Sequence, residues 1–157
     1  MSNPDPSTHD ELKEFAFQYF DGKTIMNIDD LTVVVRGHLV IESFLEQLLK
    51  KHMDLSEFDG QDDLTFSRKL KMVQGLGLLG DLYPSIRRLN KIRNDFAHDI
   101  RMQLQDVDIS LFVELFERRG HGNDSVWKAS QENKKARLGI AIHYLLGFLA
   151  ALIESSE

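Results

Sequence analysis

The sequence predicts an all-α protein, a single up-and-down bundle of five or six helices in one domain covering residues 1–157. Three observations predict it. Apolar residues recur at spacings of three and four along most of the chain, which is the period of a helix face. The β-branched triplet Val33-Val34-Val35 has no flanking alternation that would make it a strand. Gly, Pro and capping residues fall where helix ends need them. With 42% hydrophobic and 28% charged residues the chain is ordinary globular material. That excludes wholesale disorder, collagen and coiled-coil fibre.

The elements follow in order. The first seven residues read as a flexible lead-in. Thr8 and Glu11 have capping-box spacing, and an amphipathic run follows to Phe20, ended by Gly22. Asp30 is placed to cap a long helix over residues 31–51. Leu31, Val34, His38, Ile41, Leu45, Leu48 and Leu49 share one face of it. Val33, Val40 and Phe44 add apolar surface elsewhere, which makes this helix central. The acidic stretch 53–63 reads as a solvated loop. A third helix carries Phe66, Leu70, Val73 and Leu76 on its face, and glycines 75, 77 and 80 break it. Pro84 suits the first turn of a fourth helix ending near His98. A short helix over residues 110–119, a loop at RRGHGNDSVW and a terminal helix over residues 134–154 complete the chain.

Composition removes several function classes. With no cysteine, disulfides, thiolate catalysis, zinc knuckles and iron–sulfur ligation are excluded. The N-terminus lacks a basic region followed by an apolar core, so no secretory signal is visible and the expected address is the cytoplasm. The apolar stretch 139–153 is shorter than the roughly 18–20 residues of a membrane span and contains His143; it reads as a buried or subunit-facing helix, with no membrane role expected.

Most apparent motifs read as structure. Residues 75–80 spell G-x-G-x-x-G, but a helix precedes them where a dinucleotide site needs a strand, so they read as a helix end and turn. Asp106 and Asp108 read as a capping cluster for the following helix. The six histidines include no pair at ligand spacing on one helix, so neither a metal nor a cofactor is expected. His38 and His143 read as core histidines, and His121 as an exposed loop residue.

The fourth helix, PSIRRLNKIRNDFAHDIR, carries the one constellation that resembles a site. At 100° per residue Ile86, Leu89, Ile92 and Phe96 form an apolar arc, and Arg93 falls inside it. A guanidinium there needs either a wet cleft or a carboxylate partner, for which Glu42 is the candidate. Asn94 and His98, four apart, share the adjacent face. The alternative is purely structural: a bridge from Arg93 to Glu42 or another acid, an Asn94 that satisfies backbone and a helix-ending His98. The acidic chain, net −6, also hides a basic middle: residues 64–101 hold eight Lys/Arg against three Asp. Arg87, Lys91 and Arg101 in that stretch are candidates to hold a phosphate backbone.

Arg93-Asn94-Asp95-Phe96-Ala97-His98 resembles the R-N-x-x-x-H signature of the HEPN superfamily of small all-α proteins. In order along the chain, RGHLVIESFLEQLL, FSRKLKMVQGLGLL and LNKIRNDFAHD resemble the mannitol operon repressor branch over roughly residues 30–100. The rest of the chain matches only in being helical. The resemblance implies a helical bundle that forms a homodimer and brings two copies of the motif into one cleft. It implies a metal-independent endoribonuclease of toxin or defence type, with RNA as substrate and an antitoxin or other regulatory protein as partner. In that reading Arg93, Asn94 and His98 are catalytic, Arg87, Lys91 and Arg101 bind substrate, and Glu42 and Asp99 support them. The second implication is a non-catalytic transcription-regulatory or protein-interaction module. No basic recognition helix of the helix-turn-helix kind is evident.

Overall fold

The computed structural model describes residues 27–54 and 64–155, with residues 10, 13, 14 and 18 before them. The expected lead-in and first helix, and most of the acidic loop, lie outside the described residues. The described elements are α1 (Asp30–His52), α2 (Phe66–Gly75), a 3-10 turn (Gly80–Leu82), α3 (Tyr83–His98), a second 3-10 turn (Leu104–Asp106), α4 (Ser110–Arg118), α5 (Ser125–Ala129) and α6 (Lys134–Ser155). No strand occurs among the described residues. The protein is an all-α helical bundle.

α1 starts one residue earlier than expected. Asp29, in extended conformation, is the cap: its carboxylate accepts from Thr32 N at 2.8 Å and from Thr32 Oγ1 at 2.7 Å. Those bonds hold the Asp29 carboxyl below the usual carboxylate range. Asp30 is spent elsewhere, accepting from Leu104 N at 2.9 Å. Lys50, Lys51 and His52 complement the negative end of the helix dipole.

α1 packs against α2, α3 and α6. That three-sided enclosure explains why Val33, Val40 and Phe44, off the expected face, are as buried as Ile41 and Leu45. Each such side chain stabilises the fold by about 1.5–3 kcal/mol. Leu31 departs from the expectation: it lies in the first turn, 48% exposed. Asp30 approaches Lys135 at one end of α6, and Lys51 donates to the Ile153 carbonyl at the other, so α1 and α6 run in the same direction. His38 meets Asn90 and Asp30 meets Leu104, so α3 runs the opposite way.

α6 is long and apolar enough to cross a membrane by length and composition, and half of its most apolar window is buried inside the bundle. Leu138, Ile142, Leu145, Leu146, Leu149 and Ile153 are the core side of that helix.

The G-x-G-x-x-G segment is a helix end and turn, as its context predicts. Gly77 N donates to the Gln74 carbonyl at 2.9 Å with φ 76°, and Gly80 has φ 54°. Both lie in the left-handed region that a side chain disfavours. They turn the chain from α2 into α3, whose second position is Pro84. Asp108, one residue before the N-cap Ile109, accepts from Ser110 N at 2.9 Å and steadies the start of α4.

The loop expected at RRGHGNDSVW instead contains the start of α5. Asp124 accepts from Val126 N and Trp127 N, and the short helix seats Trp127 with 1% exposure. Phe116 stacks on Trp127 at 4.1 Å, and Arg137 lies over the indole at 4.3 Å. His121 is half-buried here rather than exposed: its ring meets Tyr144 at 4.5 Å and Phe116 at 5.1 Å.

Candidate functional site

The last two turns of α3 present the motif. Ser85, Ile86, Leu89, Ile92 and Phe96 are buried, so one side of the helix is fixed against the core. The helix stops at Asp99, which turns extended (φ −135°, ψ 105°) while its N–H still donates to the Asp95 carbonyl at 3.0 Å. The Asp99 carboxylate accepts from Arg101 N at 2.9 Å and steadies the turn beyond His98.

Arg93, Asn94 and His98 are all exposed. Of the two environments open to Arg93, the wet one is observed. Its Nη1 donates to Asn94 Oδ1 at 3.2 Å, and no carboxylate bonds it among the described residues. The long stem lies at the edge of the apolar arc and carries the charged head out to water. His98 is the terminal residue of α3, with no hydrogen bond or ion pair among the described residues.

Glu42 is engaged elsewhere. Lys69, only 3% exposed, donates to Glu42 Oε1 at 3.0 Å and to Glu46 Oε1 at 2.5 Å. Burial disfavours the ammonium, but the two carboxylates outweigh it and raise the Lys69 pKa above the usual lysine value. The Arg93–Glu42 bridge is therefore not formed.

Behind the motif lies the histidine expected in the core. His38 is 6% exposed, stacks on Phe66 at 4.0 Å between centroids, and its Nε2 lies 2.9 Å from Asn90 Oδ1. Burial pushes its pKa below 6.5; the Asn90 bond and Glu42 oppose that, and Arg93 adds to it. Between the folded and unfolded pKa values the unfolded chain binds the extra proton, so this contribution to stability is complete above about pH 6.5 and declines as pH falls. Thermal melting is thus expected at lower temperature at pH 5 than at pH 7, with the difference reduced in His38→Gln. An equal pH dependence in both proteins refutes the assignment. Asp29 and Asp81, held low by Thr32 and Arg119 respectively, act only at more acid pH.

The proposed substrate-binding residues divide. Arg87 and Lys91 are exposed on α3, with Lys91 Nζ 3.3 Å from Asp95 in a water-screened i,i+4 pair. Arg101 lies beyond the helix end, its side chain 90% exposed. It borders a cavity of about 840 Å³ with Leu31, Phe96, Ala97, Ile100 and Met102. Arg93, Asn94 and His98 do not line that cavity. Ile100, 99% exposed, and Leu39, 56% exposed, are apolar features that the sequence reading missed. Among the described residues no group of three His, Asp or Glu side chains is placed to hold a metal.

No family model, curated protein or solved structure matches the chain.

Proposed function

We propose that the chain is a metal-independent endoribonuclease that acts as a homodimer through Arg93, Asn94 and His98. The observation that carries this reading is the pairing of Arg93 with Asn94 in the open, with no acid neutralising the guanidinium among the described residues. The chemistry fits the side chains. The 2′-hydroxyl of RNA attacks the adjacent phosphorus; its proton passes to one imidazole while a second gives a proton to the departing 5′-oxygen. The products are a 2′,3′-cyclic phosphate and a 5′-hydroxyl. The fixed charge of Arg93 stabilises the added negative charge on phosphorus. Asn94 holds Arg93 in place through its carbonyl oxygen and keeps its amide N–H groups for a phosphate oxygen.

One chain supplies one such histidine, and a two-fold axis supplies the other. The exposed apolar side chains Leu31, Leu39 and Ile100 are the surface we assign to that contact. The same apolar surface favours a second reading, a non-catalytic module that binds a regulatory protein there. The deciding experiment is incubation of the purified chain with RNA in EDTA, alongside sedimentation analysis. A dimer that cuts RNA into cyclic-phosphate ends supports the nuclease. A folded dimer that leaves RNA intact, free of any co-purifying protein, overturns it and leaves the binding module.

A further inference from the structure

Tyr83, Arg87, Lys91, Asn94 and His98 follow one another at spacings of four, four, three and four along α3. Such spacings keep side chains on one helical face. At about 1.5 Å of rise per residue the row is some 22 Å long. One end is the motif. The other end is a cavity of about 340 Å³ lined by Tyr83, Pro84, Arg87, Arg88, Lys91 and Leu111. Its apolar walls are a tyrosine ring, a proline and a leucine left 39% exposed. Its remaining lining is three cations. Arg88 is oriented by a 3.1 Å bond from its Nε to the Asp108 carbonyl. Arg87 makes no hydrogen bond or ion pair among the described residues. Asp95 is paired with Lys91, and Asp108 is already bonded to the Ser110 backbone.

We infer that this cavity holds a nucleobase of single-stranded RNA, several nucleotides along the strand from the bond presented to His98. A flat base needs an aromatic or apolar surface, and its flanking phosphates need cations beside it. The cavity offers both, and the row along α3 connects it to the motif. Paired RNA keeps its bases stacked inside the helix and cannot fill an apolar pocket this way. The inference rests on the nuclease reading for its choice of ligand, but it concerns binding, which is measured separately from cleavage.

The test uses full-length protein carrying His98→Ala, so that RNA survives, and fluorescence anisotropy with a short unstructured RNA and a duplex of equal length. Tyr83→Ala is expected to weaken single-strand binding about tenfold at fixed salt. Tyr83→Phe keeps the ring and is expected to bind as the parent does. If Tyr83→Ala does not fold, Leu111→Glu, which sets a carboxylate in the exposed wall, is expected to produce the same loss. Replacing Arg87 and Lys91 together by Ala is expected to reduce the slope of log affinity against log salt by about 1.4, the value for two single-strand phosphate contacts. Equal affinity for duplex and single strand, or no change in any variant, overturns the pocket even where the wild-type chain cuts RNA. The expected losses in a protein that never cuts RNA uphold the pocket and remove the nuclease.

Discussion

His98→Ala is expected to lower RNA cleavage by about 10²–10⁴, the usual contribution of a positioned acid or base. Arg93→Ala is expected to be comparably severe, because neutralising the excess charge on phosphorus is as large a demand as moving the proton. Both side chains are exposed, and neither is held by a carboxylate among the described residues. Their removal should therefore change stability by less than about 0.5 kcal/mol. Loss of activity without loss of fold separates chemistry from scaffolding. Arg93→Lys sharpens the comparison: it keeps the charge but loses the planar fork, so intermediate activity is expected. Mixing wild-type and His98→Ala protomers tests the two-fold arrangement: a heterodimer holds one imidazole of the two the reaction uses, so activity is expected to fall with the square of the wild-type fraction rather than in proportion to it. Initial rates with a fluorogenic RNA in EDTA, beside melting curves, provide the measurement. Full activity in His98→Ala refutes the assignment.

The helices were legible because their ends are written locally. Pro84 opens α3, Gly77 closes the turn after α2, and the apolar period of α1 is unbroken for about five turns. α1 starts one residue before the expected position because Asp29 and Asp30 are both competent caps, and only the tertiary bond from Leu104 decides which is free to act. α5 carries a local signal: Asp124 is a cap, and Trp127 three residues on is the buried side chain of a helix of little more than one turn. The glycines at 120 and 122 favour a loop and mask that signal.

The motif residues were legible as a group, but their environment was not. A helical wheel places Arg93 in the apolar arc without saying how far neighbouring helices extend over it. Lys69 is the reason the acid proposed for Arg93 is occupied. At 100° per residue Lys69 falls inside the arc of Phe66, Leu70, Val73 and Leu76, so the spacing marks it as it marks Arg93, but it does not say that one cation is sealed in with acids and the other left in water. The partners of Lys69, Glu42 and Glu46, are four apart on α1, and their meeting with it depends on how two helices pack.

That buried lysine gives the largest expected effect on stability. In the folded protein one ammonium with 3% exposure faces two carboxylates whose side chains retain about a quarter of their exposure. Lys69→Met keeps most of the stem volume and removes the charge, leaving Glu42 and Glu46 side by side against an apolar surface. Breaking a fully buried pair costs about 3–5 kcal/mol; with these acids free to turn partly to water, a loss of about 2–3 kcal/mol is expected. Raising the pH does not imitate the substitution near neutrality. The lysine pKa is raised on folding, so its contribution is present below the unfolded value and fades only as pH climbs through the folded one, well into the alkaline range. Adding Glu42→Gln and Glu46→Gln to Lys69→Met removes the repulsion and should restore most of the loss, a non-additivity that a simple cavity would not produce. Urea unfolding of the single and triple variants reads the difference. A Lys69→Met protein as stable as the parent refutes the ion cluster as a structural element, and an uncorrected loss in the triple variant assigns the effect to packing alone.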